Sequence, residues 1–158
     1  MKHRAVILAG GNVGDTEQLL AKAEQMLAEQ GVEVVAKSHN YRSKAWGFES
    51  DTEFVNCAYE LLTSKGAEEL LDTMQSIEAA LGRNREAEHK VKAQRGERYA
   101  SRTIDLDMMF YDEERISTER LQVPHPLIME REFAIIPLCE LLRCSREELE
   151  KRIYRICR

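Results

Sequence analysis

The chain has 158 residues and a mass of 18.2 kDa, with 43% hydrophobic and 32% charged residues and a net charge of −5. That length suits one well-buried core, so a single domain over residues 1–158 is expected. The acidic balance argues against a nucleic-acid-binding surface, and no window approaches a membrane span. The four cysteines (Cys57, Cys139, Cys144 and Cys157) contain no C-x-x-C pair, which argues against a disulfide scaffold.

Met1-Lys2-His3-Arg4 opens like a secretory leader, but the apolar run that follows ends at Gly10-Gly11-Asn12, too early for one. A soluble, cytoplasmic protein is expected. Arg4 to Ala9 reads as a buried strand. Asp15-x-x-Gln18 resembles a capping box, and Leu19, Leu20, Ala23, Met26 and Leu27 follow at helical spacing until Gly31. Val32 to Asn40 reads as a second strand and Arg42 to Asp51 as a turn region. From Phe54 to Leu62, Val55, Cys57, Tyr59 and Leu61 alternate with Phe54, Asn56, Ala58 and Glu60, which puts the first set in a core and leaves Phe54 and Asn56 on the opposite face.

Gly66 opens a helix whose buried stripe is Leu70, Met74, Ile77 and Leu81, with Leu71, Gln75 and Glu78 on its flank. After the segment 82–102 comes a strand around Asp105 and Asp107, then a hairpin around Asp112-Glu113-Glu114 and the short run Leu121-Gln122-Val123. Pro124-His125-Pro126 breaks the chain. A helix from about Glu130 to Leu142 carries Phe133, Ile136 and Leu141. Ser145-x-x-Glu148 is a capping box for a last helix that buries Leu149, Ile153 and Ile156. The order β-α-β-β-α-β with extra C-terminal helices predicts an α+β fold, a ferredoxin-like antiparallel sheet with helices on one face. The uncovered face is then expected to be a groove rather than a second core, carrying Phe54, Asn56, Asp105 and Asp107.

The chemistry concentrates in Arg98 to Met109. On a strand, Asp105 and Asp107 share a face with Thr103 and Met109, while Ile104, Leu106 and Met108 point into the core. Two carboxylates that close repel unless a cation lies between them, and Mg²⁺, which takes hard oxygen ligands and is completed by substrate phosphates, is the natural candidate. Segment 82–102 carries seven basic residues against three acidic ones, net +4, which leaves the remainder at −9. Basic charge so local, in an acidic chain, points to a small polyanion such as ATP.

These residues are arranged as in the 6-hydroxymethyl-7,8-dihydropterin pyrophosphokinase family of the folate pathway, which the chain resembles along nearly its whole length. Arg98, Ala100, Ser101, Arg102, Asp105, Leu106, Asp107, Met108 and Met109 meet the family signature in register. Gly10-Gly11-Asn12, Tyr41-Arg42-Ser43 before Gly47, Phe54-Val55-Asn56, Gln75-x-x-Glu78 and Gly82-Arg83-x-Arg85 extend the match. So do Arg120-Leu121-x-Val123-Pro124-His125 and Arg131-x-Phe133.

The resemblance implies transfer of pyrophosphate from ATP to the pterin hydroxymethyl group, with Asp105 and Asp107 holding two Mg²⁺ ions. Arg83 and Arg102 look like the arginines that meet charge on the transferred group. Leu71, Gln75, Glu78, Arg85, Arg98, Arg120, His125 and Arg131 correspond to nucleotide contacts, and Ser43, Ala45, Trp46, Phe54, Asn56, Tyr99 and Phe133 to the pterin pocket. Phe54 and Phe133 would sandwich the ring while Asn56 reads its polar edge, a match of aromatic faces and paired amide bonds to a planar heterocycle. The stretch from Arg85 to Arg98 is longer than in compact members, and its charged run 86–97 is expected to form a mobile lid. A monomer without nucleic-acid or membrane partners is expected.

Overall fold

The structure, a computed structural model, describes residues 2–11, 16–44, 53–82 and 104–158. The charged run 86–97 and its expected role as a lid lie outside the described residues, as does the capping box at Asp15.

Strand β1 (His3–Gly11) is the centre of an antiparallel sheet, flanked by β4 (Glu53–Thr63) and β5 (Asp105–Tyr111). The strand order is β2-β4-β1-β5, with β2 (Glu33–Lys37) and β3 (Tyr41–Lys44) pairing in succession along the outer side of β4. The second strand predicted over Val32 to Asn40 therefore stops at Lys37, and part of the expected turn region is strand. The interruption has a local cause. Ser38 keeps one ladder bond, its N–H to the Ala58 carbonyl at 2.9 Å, but its hydroxyl accepts the Ala58 N–H at 2.9 Å in place of the next backbone carbonyl.

Helices α1 (Thr16–Glu29) and α2 (Ala67–Ala80) cover one face of the sheet. Leu20, Ala23 and Leu27 of α1 and Leu70, Met74 and Ile77 of α2 meet Ala5, Ile7, Ala9, Val55, Cys57, Tyr59 and Leu61, the alternation read from the sequence. Each fully buried aliphatic of this set contributes about 1.5–3 kcal/mol by leaving water. Gly31, at φ 80°, takes the left-handed position that ends α1, and Gly66 is the N-cap of α2.

The other face is not an open groove along its length. Helix α3 (Glu132–Leu142) lays Ala134, Ile135 and Leu138 on Val6, Leu8, Ala58, Met109 and Phe110, and Leu149 of α4 (Arg146–Cys157) closes this second core. The extra C-terminal helices thus cover half of the face expected to be bare, because its strand residues at that end are as apolar as those on the α1/α2 side. Asn56, Asp105 and Asp107 lie toward the other end of this face. The Ser145–Glu148 capping box of α4 forms in both directions, with Glu148 N–H to Ser145 Oγ at 3.1 Å and Ser145 N–H to Glu148 Oε1 at 3.3 Å. Leu149 is buried, while Ile153 and Ile156 are half-buried against the same core. The hairpin expected around Asp112 is displaced. Residues 112–114 form a turn, and the paired strands are β6 (Ile116–Ser117) and β7 (Gln122–Val123). Asp112, at φ 51°, receives the Arg4 N–H at 2.8 Å, which ties this turn back to β1.

Candidate active site

Sheet register brings the polar residues together. Gly10 lies opposite Asn56 on one side and Asp105 on the other, so Asn56, Gly10 and Asp105 form one row across three strands. Leu8 does the same for Ala58 and Asp107 in the next row. At a strand spacing of about 4.8 Å, the backbone of Asn56 stands roughly 10 Å from that of Asp105, on the same face. The glycine between them is sterically required. A Cβ on Gly10 would stand 2.2 Å from Asn56 Oδ1 and 2.7 Å from the Val55 carbonyl, so the amide occupies the space that any side chain would take. Asn56 is 8% exposed there.

A bulge in β5 sets the neighbouring loop. The pairing slips between Val6–Phe110 and Ile7–Met108, leaving Met109 as the extra residue, and both Met109 and Phe110 turn toward α3. The Met109 carbonyl accepts the His125 N–H at 3.0 Å, which holds the Pro124-His125-Pro126 segment against the strand carrying the aspartates. His125 Nδ1 accepts the Leu127 N–H at 3.2 Å, so the neutral ring carries its proton on Nε2. Burial lowers the His125 pKa below its ordinary value and the Arg131 cation lowers it further, against an opposing pull from Asp105.

Asp107 is strongly perturbed. Burial, the Asp105 charge and a hydrogen bond shared with Asp105 push its pKa from 3.8 up to about 7; Glu78 adds to the rise, and Arg131 opposes it. Two acidic oxygen donors that hold a proton between them, with a third carboxylate near, form a site that a hard divalent cation would relieve. Among the described residues no group of three or more metal-binding side chains comes together. Asp105 and Asp107 are hard oxygen donors of the kind that could hold Mg²⁺, which ordinarily takes one or two carboxylates with water and substrate phosphates completing its shell.

Arg131 is the N-cap residue of α3, and its guanidinium carbon lies 5.6 Å from the centre of the Phe133 ring. Phe133 is 39% exposed at the first turn of α3. Phe54 is half-buried on the Asn56 face of β4, opposite Ser43 of β3. On α2, Leu71 is buried and Gln75 exposed, whereas Glu78 is only 4% exposed and accepts the Leu106 N–H at 2.8 Å. Arg120 is exposed and ion-paired to Asp72 of α2, with Oδ1 at 2.5 Å, so it lies along that helix. Arg83, Arg85, Arg98, Tyr99, Arg102, Ala45 and Trp46 lie outside the described residues.

Three features escaped sequence reading: the Gly10 gap, the Met109 bulge carbonyl and the Asp72 partner of Arg120. A glycine inside an apolar strand signals close approach, but not of what. A cavity of about 900 Å³ lies elsewhere, at the opposite end of the sheet, between Val6, Glu60, Phe110, Glu140, Arg143 and Arg152. Glu60 and Glu140 there are already engaged by Arg4 and His39, so that cavity does not gather the convergent, strained polar groups found around Asp107.

The family model for 7,8-dihydro-6-hydroxymethylpterin-pyrophosphokinase (HPPK) matches residues 6–143. This chain belongs to the HPPK family. The match spans every described site residue, from Gly10 to Phe133. A pyrophosphokinase of this name from Bacillus subtilis is 38% identical over 151 residues, covering 95% of this chain and 83% of that protein. The Methylorubrum extorquens pyrophosphokinase is 39% identical over 139 residues, 87% of this chain and 82% of that protein. A mitochondrial folate synthesis bifunctional protein from Arabidopsis thaliana is 32% identical over 141 residues, which make up 24% of its length. HPPK membership places the chain among diphosphotransferases. No helix among the described residues is long and apolar enough to cross a membrane.

Proposed function

We propose that this chain transfers pyrophosphate from ATP to 6-hydroxymethyl-7,8-dihydropterin in folate synthesis, releasing AMP and the pterin diphosphate. The observation that carries this reading is the row Asn56, Gly10, Asp105, which sets a base-reading amide about 10 Å from a strained carboxylate pair, with His125 and Arg131 beside it.

The pterin lies with its polar edge on Asn56 and a ring face on Phe133, whose outward position leaves it open to stacking. Phe54 closes the second face. This places the hydroxymethyl oxygen toward the Asp105 end of the row. That oxygen attacks the β-phosphorus of ATP, the bond from the β-phosphorus to the oxygen kept by AMP breaks, and the hydroxymethyl proton leaves to solvent. Asp105 and Asp107 would hold Mg²⁺, two ions by family analogy, which when bound would neutralise phosphate oxygens and lower the charge barrier to attack. Arg131 supplies a fixed cation to the anionic chain, and His125 donates from Nε2 as a neutral ring. Positioning and charge complementarity carry the rate, without a covalent enzyme intermediate.

The test mixes the purified protein with ATP, Mg²⁺ and the pterin and identifies products by liquid chromatography and mass spectrometry. AMP with a diphosphorylated pterin, lost on removing Mg²⁺, is the expected result. ADP would indicate single-phosphoryl transfer, free pyrophosphate nucleotidyl transfer, and pterin binding without turnover a non-catalytic module; each overturns the proposal.

A further inference from the structure

Among the described residues strand β5 is an edge of the sheet, so the N–H groups on its outer side meet no described strand. One of them, on Leu106, sits between the two aspartates. It is met by the carboxylate of Glu78, 28 residues earlier on α2, with N–H to Oε2 at 2.8 Å in a buried setting. The Leu106 side chain is buried in the α1/α2 core, and its Cα stands opposite Ala9 of β1. With its N–H turned outward, Leu106 occupies a non-hydrogen-bonded position of the antiparallel ladder, so it is held by its side chain on one side and by Glu78 on the other.

We infer that Glu78 is a positioning residue, fixing the separation and direction of Asp105 and Asp107 through the Leu106 N–H, rather than a nucleotide contact as the sequence resemblance implies. The inference rests on the proposed function only in taking the two aspartates as the cation-holding pair. Physical chemistry favours it. A buried carboxylate near two others is costly and adds to their repulsion, so an apolar residue at position 78 would relieve charge. It would also leave the Leu106 N–H without an acceptor on an edge strand, free to fray or twist. A charge-assisted bond to the backbone is stronger and shorter than a neutral one, and here it acts on the one residue whose movement carries both aspartates with it. Outer partners that orient the ligands of a metal site commonly change metal affinity by roughly ten- to a hundredfold when removed.

The test needs no turnover. Amide hydrogen exchange at Leu106 is read by NMR on the protein alone, and Mn²⁺ affinity is read from the loss of the free-ion paramagnetic signal. Glu78→Ala should speed Leu106 exchange and weaken Mn²⁺ binding by about tenfold or more. Glu78→Gln, which keeps a carbonyl acceptor but no charge, should retain Leu106 protection and hold Mn²⁺ affinity within about threefold of the parent. Thr73→Val removes a hydroxyl that donates within α2 to the Glu69 carbonyl at 3.2 Å, and should change neither readout. Equal losses in Glu78→Gln and Glu78→Ala would mean that charge rather than anchoring matters. Unchanged Leu106 exchange in a folded Glu78→Ala protein would remove the anchor altogether, and either result overturns the inference. Failure of the pyrophosphate assay in the parent protein, with these readouts intact, would instead count against the proposed function.

Discussion

Gly10 and Asn56 form a pair in which one residue exists to accommodate the other. A methyl group at position 10 meets the Asn56 amide oxygen and, behind it, the Val55 carbonyl, a backbone atom that cannot swing aside. Gly10→Ala should therefore cost about 1–3 kcal/mol of stability, the usual cost of overpacking, measured by denaturant unfolding. It should also raise the pterin KM while leaving the ATP KM nearly unchanged. Asn56→Ala should raise the pterin KM roughly ten- to a hundredfold, as expected for losing hydrogen bonds worth about 1–3 kcal/mol. Because Gly10 acts through Asn56, the double variant should bind pterin little worse than Asn56→Ala alone, and additive losses would show that the two act independently. At the carboxylate pair, Asp105→Ala should lower kcat by roughly a hundred- to a thousandfold, the scale seen when one electrostatic stabiliser is removed.

Helix α3 connects stability to the site. Its apolar side, Ala134, Ile135 and Leu138, is half of the second core, and its N-terminal turn carries Arg131 and Phe133. Leu138→Ala should cost about 2–5 kcal/mol in unfolding, as buried Leu truncations do. If the helix shifts to fill the gap, pterin affinity should fall with it; an unchanged pterin KM would mean that the loop at His125 fixes the helix start without the core. The capping box of α4 lies farther from the chemistry. Ser145→Ala should cost about 1 kcal/mol and leave both substrate constants alone. The bulge at Met109 belongs to the same level of organisation, since a one-residue slip in β5 both turns Phe110 under α3 and supplies the carbonyl that docks His125.

For the protein as one thermodynamic unit, the carboxylate pair links folding to pH and to metal. In the folded state Asp107 holds its proton up to about 7, against 3.8 ordinarily. Folding therefore takes up a proton between those values. The contribution to stability is present in full at low pH and is lost as pH rises through the folded pKa. The metal-free protein should lose stability between about pH 4 and pH 7, and Asp107→Asn should remove that part of the slope. On the proposed function Mg²⁺ would displace the proton, so its stabilisation, read as a Tm rise, should be larger near pH 8 than near pH 5. A Tm rise independent of pH would separate the metal from this pair.

The strands and helices were legible because hydrophobic period reports burial directly. Val55, Cys57, Tyr59 and Leu61 share a core because side chains alternate on a strand, and Asp105 and Asp107 share a face for the same reason. The capping box at Ser145 was equally local, four residues specifying their own bonds. The second core was not legible. Leu8, Ala58 and Phe110 are buried by α3, and nothing in a strand's own pattern says whether a helix elsewhere in the chain, or water, will cover its other face. The break at Ser38, the bond from Leu106 to Glu78 and the fit of Gly10 to Asn56 depend on partners 20, 28 and 46 residues distant, and the bulge at Met109 on a strand about 100 residues distant. Local sequence thus determined which residues carry the charge and which face they share. Their spacing, their anchors and the covering of the sheet were decided by contacts between segments remote in the chain, because register and close packing are properties of pairs and not of either partner alone.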